Sequence, residues 1–121
     1  MKIDFIADTN FLIYVHEGND LVASFLEYNF GISFISEVEL LGFKNINESE
    51  ESKLKDLIKD CFNIEWNSKI KEKTIELRRK YNVKLPDAII AATSLVYGIP
   101  LVTADRGFSK VIELDLILIE I

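Results

Sequence analysis

Apolar residues fall into two spacings that alternate from one end of the chain to the other. Short runs at 2–7 (KIDFIA), 32–35 (ISFI), 62–66 (FNIEW), 99–104 (IPLVTA) and 115–121 (DLILIEI) carry many β-branched and aromatic residues and predict strands. Between them the apolar positions recur every three or four residues, which predicts helices over 9–16, 20–29, 37–43, 48–61, 67–82, 86–97 and 106–112. In 48–61 the inward positions are Leu54, Leu57, Ile58 and Cys61; in 67–82 they are Ile70, Thr74, Leu77 and Tyr81. The 86–97 stretch is small and apolar all round, so it predicts a central, buried helix. Pro86 fits its first turn, where a missing N–H costs nothing, and Gly98 fits its end. Gly18 and Gly31 read as breaks. Strands alternating with helices predict a three-layer α/β domain with a mainly parallel sheet. Ligands of such sheets sit outside the strands' carboxyl ends, where strand order reverses.

Composition fits that picture. With 121 residues, 49% hydrophobic and 28% charged, the expectation is one domain over 1–121 whose core needs no disulfide. No stretch approaches the roughly 20 apolar residues of a membrane helix, and acids interrupt the N-terminal run, unlike a signal peptide. Cys61 is the only cysteine, so no intramolecular disulfide forms. These features predict a cytoplasmic protein with no membrane partner.

The net charge of −6 does not advertise a nucleic-acid partner, and its distribution is more informative. Residues 64–85 hold seven bases and three acids, a segment of +4 in a chain whose remainder is −10. Solvated helix surface explains any one of these charges. Together they are candidate phosphate-backbone contacts, chiefly Lys69, Lys73, Arg78, Arg79 and Lys80.

Four acids stand out by position. Asp8 closes the first strand, Asp105 the fourth. Each could simply cap the helix that follows. Asp87 follows Pro86 in a helix first turn, where an acid complements the helix dipole. Glu39 closes 36-SEVE-39, a capping-box pattern. Taken together they suggest more, because a parallel sheet can bring all four to one edge. Two carboxylates at about 4 Å repel by roughly 4 kcal/mol at an effective dielectric near 20. A converging quartet therefore needs protons or cations, and hard divalent ions, Mg²⁺ or Mn²⁺, prefer such oxygen ligands. One histidine and one cysteine make zinc a poor fit. His16 reads as a helix-end charge, and Trp66 with most phenylalanines as core. The apolar stretches 21-LVASFLEY-28 and 116-LILIEI-121 read by default as core faces. No G-x-S-x-G, Cys–His pairing or Gly-rich phosphate loop supports other chemistry.

The segments 6-IADTNFLIY-14, 35-ISEVELLGF-43 and 85-LPDAIIAATSLVYGIPLVTAD-105, with Phe108 after them, resemble the PIN domain, in particular the small VapC-type toxins of prokaryotic toxin–antitoxin pairs. The resemblance implies an α/β/α fold with strand order 3-2-1-4-5. It implies metal-dependent cleavage of single-stranded RNA, leaving a 5′-phosphate and a 3′-hydroxyl. Its acidic quartet carries over to Asp8, Glu39, Asp87 and Asp105 as catalytic and metal-binding residues, with Asn10 and Thr103 in support and Glu37 as a rival to Glu39. It further implies a homodimer silenced by a small antitoxin. Two other readings are a PIN scaffold that binds RNA or protein without catalysis, and a receiver-like phosphoacceptor module. The latter wants paired acids after the first strand and a lysine after the last, neither of which is present.

Overall fold

The structure, a computed structural model, describes residues 2–121. Five strands form one sheet in the order β3-β2-β1-β4-β5, and every neighbouring pair is parallel. They are β1 Phe5–Ala7, β2 Phe30–Ser33, β3 Phe62–Ile64, β4 Leu101–Thr103 and β5 Leu116–Leu118. The helices are α1 Thr9–His16, α2 Phe34–Leu41, α3 Glu48–Lys59, α4 Ser68–Lys80 and α5 Leu85–Tyr97, with 3₁₀ turns at Asp20–Phe25 and Arg106–Lys110. No helix among the described residues is long and apolar enough to cross a membrane.

The strand alternation divides the core in two. Ile6 and Leu101 point into the cluster under α4 and α5, with Ile64, Ile70, Leu77, Ile90 and Phe108. Their neighbours Ala7 and Val102 point to the other side, with Phe11, Leu12, Ile32, Leu40, Leu54 and Ile58 from β2 and α1–α3. Both faces of the central strands are thus covered, as an all-parallel sheet requires. Each fully buried leucine or isoleucine contributes about 1.5–3 kcal/mol of hydrophobic stabilisation. α5 is the central buried helix its composition predicts: Ala88 through Ser94 are all buried, and its hydroxyls are satisfied within it or nearby. Thr93 Oγ1 donates to the Ile89 carbonyl at 2.8 Å, and Ser94 Oγ to that of Ile99 at 2.5 Å. Gly98 ends the helix in the left-handed region at φ +64°.

The structure corrects several sequence expectations. β2 runs over Phe30–Ser33, not 32–35, and Gly31 lies inside it. A Cβ on Gly31 would come within 3.0 Å of the Ile3 and Ile6 side chains, so this glycine permits close packing and is not a break. α2 starts at Phe34 with Ser33 as its cap, Ser33 Oγ accepting from the Ile35 N–H at 3.2 Å. Ser36 and Glu39 therefore lie within the helix and do not form a capping box. The 20–29 stretch contains a 3₁₀ turn rather than an α-helix, and exposes Leu21, Leu26 and Tyr28. The remaining strands are shorter than predicted because ladder pairing covers only three residues in each. Trp66 is 42% exposed, resting edge-on against Phe34, and is not core.

Candidate active site

Asp8 leaves β1 at the carboxyl edge of the sheet and does two things at once. Its Oδ1 caps α1 by accepting from the Phe11 N–H at 2.8 Å. Its Oδ2 accepts from Thr103 Oγ1, the last residue of β4, at 2.5 Å. Capping and a place in the site are compatible, because each carboxylate oxygen keeps a further lone pair. Thr103, fully buried, also accepts from the Asp105 N–H at 2.9 Å. Asp105 in turn caps its 3₁₀ turn, Oδ1 accepting from the Gly107 N–H at 2.8 Å. The hydroxyl of Thr103 thus ties together the two chain segments that leave β1 and β4.

The other two acids come from helices. Glu39 reaches the cleft from the middle of α2, where Thr9 Oγ1 donates to its Oε1 at 2.7 Å. Ser36 Oγ lies 3.0 Å from the same Thr9 oxygen. Thr9 has one proton, which goes to the carboxylate as the stronger acceptor, so Ser36 donates to Thr9. Asp87 projects from the first turn of α5. Asp8, Thr9, Asn10, Ile13, Glu39, Phe43, Asp87 and Ile90 line a cavity of about 260 Å³. Asp87 also lines a second cavity of about 470 Å³, shared with Asp105, Arg78, Asn82, Lys84, Gly107, Phe108 and Lys110. Asp87 is the one wall common to both cavities, and the word cleft covers the pair. Glu37 lines neither, so the structure places Glu39, not its neighbour, in the cleft.

Burial raises the Asp8 carboxyl to about 6; the Thr103 and Phe11 hydrogen bonds oppose this, and Asp105 and Asp87 add to it. Asp87 is also held above its ordinary value, first by burial, then by Asp105 and Glu39, with Lys84 and Lys110 pulling the other way. These acids feel one another, and a cation would relieve the strain of charging them. The carboxylates of Asp8, Glu39, Asp87 and Asp105 are oxygen donors of the kind that Mg²⁺ or Mn²⁺ prefers. Among the described residues, no three acids stand close enough to enclose an ion by themselves. Mg²⁺ does not need such a cage, since it commonly keeps several waters and takes one or two carboxylates plus substrate oxygens. Cys61 is outside the cleft, and burial pushes its thiol up to about 11, so it is no nucleophile at neutral pH.

Only one of the five basic residues singled out in the sequence reaches the cleft. Arg78 does, at the end of α4. Lys73 pairs with Glu76, Lys80 with Glu113, and Lys69 lies roughly 14 Å back along the helix axis from Arg78. The bases beside Arg78 are Lys84, which belongs to the basic 64–85 segment read from the sequence, and Lys110, which sequence reasoning did not single out. Lys110 ends the 3₁₀ turn that Asp105 caps, and that proximity was the available signal. Thr9 was missed too, though it adjoins Asp8.

A family model described as the PIN domain matches residues 5–114. The chain belongs to the PIN-domain family. Among curated proteins, none matches the sequence. Solved structures do. A toxin–antitoxin complex from Klebsiella pneumoniae is 28% identical, covers 93% of this chain and 95% of its own, and superposes at a TM-score of 0.80. VapBC2 from Rickettsia felis, bound to a promoter DNA fragment, is 22% identical with a TM-score of 0.85, covering 96% and 98%. VapBC-1 from nontypeable Haemophilus influenzae is 21% identical with a TM-score of 0.78, covering 94% and 96%. At such identity the last two show the shared fold. In this PIN domain the sheet order is the 3-2-1-4-5 that the resemblance implied, and Asp8, Glu39, Asp87 and Asp105 lie around its cleft.

Proposed function

We propose that this PIN domain is a Mg²⁺- or Mn²⁺-dependent endoribonuclease that cleaves single-stranded RNA, and that it is the toxin of a toxin–antitoxin pair. The observation that carries the reading is the gathering of Asp8, Glu39, Asp87 and Asp105 at one sheet edge, with Asp8 buried and oriented by two hydrogen bonds. Asp8, Asp87 and Asp105 would hold the metal, whose chemistry is to polarise the scissile phosphate and acidify a water. Thr103 keeps Asp8 and Asp105 in register for that task. Glu39, steadied at Oε1 by Thr9, presents its other oxygen to accept a proton from the attacking water or orient it. Asn10, exposed at the cleft, is placed to hydrogen-bond a substrate oxygen. In-line attack would leave a 5′-phosphate and a 3′-hydroxyl.

The toxin role and the antitoxin partner draw support from the Klebsiella neighbour, a toxin–antitoxin complex; a homodimer and a cytoplasmic setting are part of the same proposal and rest on the family resemblance alone. The test is cleavage of single-stranded RNA by protein purified free of any partner, with Mg²⁺ or Mn²⁺, alongside Asp8→Asn and Asp87→Asn. Metal-dependent cutting that both substitutions abolish is expected. Equal cutting by wild type and variants refutes the assignment.

A further inference from the structure

The larger of the two cavities sets three bases beside two of the four acids, more positive charge than those two acids balance. Arg78 from the end of α4, Lys84 before α5 and Lys110 after β4 surround a cavity of about 470 Å³, beside Asp87 and Asp105. Three bases from three separate chain segments converge there, in a chain whose net charge is −6. Among the described residues none of the three is ion-paired with an acid, although two carboxylates share the cavity. Lys110 uses one of its three donors on the Asn82 carbonyl at 2.9 Å, which fixes the ammonium at the rim and leaves two donors free. The volume falls in the range of about 300–1,000 Å³ that takes a small molecule, room for a nucleotide unit rather than a lone ion.

We infer that this cavity is a phosphate subsite, in which Arg78, Lys84 and Lys110 hold the phosphodiester next to the one being cut. The inference rests on the nuclease reading for the words "being cut", and on geometry for the rest. Asp87 lines both cavities, so a strand whose scissile phosphate lies among the acids passes its neighbouring phosphate into the basic side. Metal bound to the acids would cancel their charge and leave the three bases as the dominant field in that half. The subsite relocates RNA contact from the outer surface of α4 to the seam between α4, α5 and the turn after β4.

The experiment uses Arg78→Gln, Lys84→Gln and Lys110→Gln, with Lys59→Gln on α3 as a control for net charge alone. Binding of a fluorescent single-stranded RNA is followed by anisotropy in EDTA from 20 to 200 mM salt, and KM and kcat are measured with Mg²⁺. Each cleft variant is expected to weaken binding or raise KM roughly three- to tenfold, and to flatten the log–log salt slope by about 0.7, with kcat little changed. Lys110→Arg, which keeps charge and donor, is expected to restore wild-type values. Cleft variants that behave like Lys59→Gln overturn the subsite. Loss of affinity for an oligoglutamate peptide with RNA binding unchanged also overturns it, by assigning the cavity to an acidic protein ligand. RNA bound through these bases but never cut leaves the subsite standing and removes the nuclease reading. RNA cut normally by all three variants does the reverse.

Discussion

Thr103 donates its hydroxyl proton to Asp8 Oδ2 at 2.5 Å, across a sequence separation of 95 residues. The same oxygen accepts from the Asp105 N–H, so one buried hydroxyl serves both strand-end acids. Thr103→Val keeps the shape but strands a carboxylate oxygen and an N–H. Leaving such groups unpaired costs about 1–3 kcal/mol. The variant is expected to lose that much stability in urea titrations and to require more Mg²⁺ for half-maximal activity. Thr103→Ser, which retains the hydroxyl, is expected to stay close to wild type in metal requirement. Equal metal requirements for Val and Ser would show that the hydroxyl does not hold the site.

The raised Asp8 carboxyl makes a prediction about pH. Unfolded, the group titrates near its ordinary 3.8; folded, it titrates at about 6 because burial disfavours its charge. The folded state therefore binds this proton more tightly, and stability falls as pH rises from about 4 to 6. Above 6 the full penalty is present, on the order of 3 kcal/mol. Asp87, also raised, acts in the same direction. In EDTA, the Asp8 contribution is expected to lower wild-type stability as pH rises from about 4 to 6 and to level off above, and Asp8→Asn to lack most of that fall. Asparagine can still accept from the Phe11 N–H, but its amide cannot accept the Thr103 proton, which offsets about 1 kcal/mol of the gain. Parallel pH profiles for the two proteins would remove Asp8 as the source.

Metal addition should act on the same charge. A ligand at 100 times its Kd stabilises the folded state by about 2.7 kcal/mol. With Mg²⁺ or Mn²⁺ at such a concentration, wild type at pH 7.5 is expected to melt several degrees higher than in EDTA. The gain should shrink below pH 6, where Asp8 holds a proton that the metal must displace. Asp8→Asn and Asp87→Asn are expected to show almost no metal-dependent shift. A full shift in Asp8→Asn would place the ion elsewhere.

Much of this site could be read from the chain because each acid is anchored by a local rule. Asp8 and Asp105 end apolar runs, and Asp87 follows a proline at a helix start, so their shared edge follows from parallel topology alone. Glu39 was harder. Ile32–Ile35 has strand-like composition, which hid the switch to helix at Phe34 and made Ser36 look like a cap. Tertiary packing decided that boundary: Gly31 allows β2 to lie against Ile3, Ile6 and Ile64, and Ser33 is then the first free capping side chain. Lys84 and Lys110 meet Arg78 only through the fold, and no spacing rule links residues on three separate segments. The exposed Leu21, Leu26 and Tyr28 show the same limit, since helical spacing in 20–29 says nothing about whether a partner face exists.

Glu37 and Glu39 are two residues apart on α2, and helix geometry sends them to different faces. Glu39 meets Thr9 and lines the cleft with Asp8 and Asp87; Glu37 does not line it. Glu39→Gln keeps an oxygen to accept from Thr9 and so should fold normally, with stability within about 1 kcal/mol of wild type. It removes the charge that would take or orient a water proton, a role worth roughly a hundredfold or more in rate. Glu37→Gln is a partly exposed change away from the cleft and should alter stability by no more than about 0.5 kcal/mol. The expected outcome in the RNA cleavage assay is a loss of about two orders of magnitude in kcat for Glu39→Gln, with little change in KM, and a rate within twofold for Glu37→Gln. If the two variants lose activity equally, helix α2 contributes a field rather than a positioned base, and the role assigned to Glu39 fails while that of Asp8 stands.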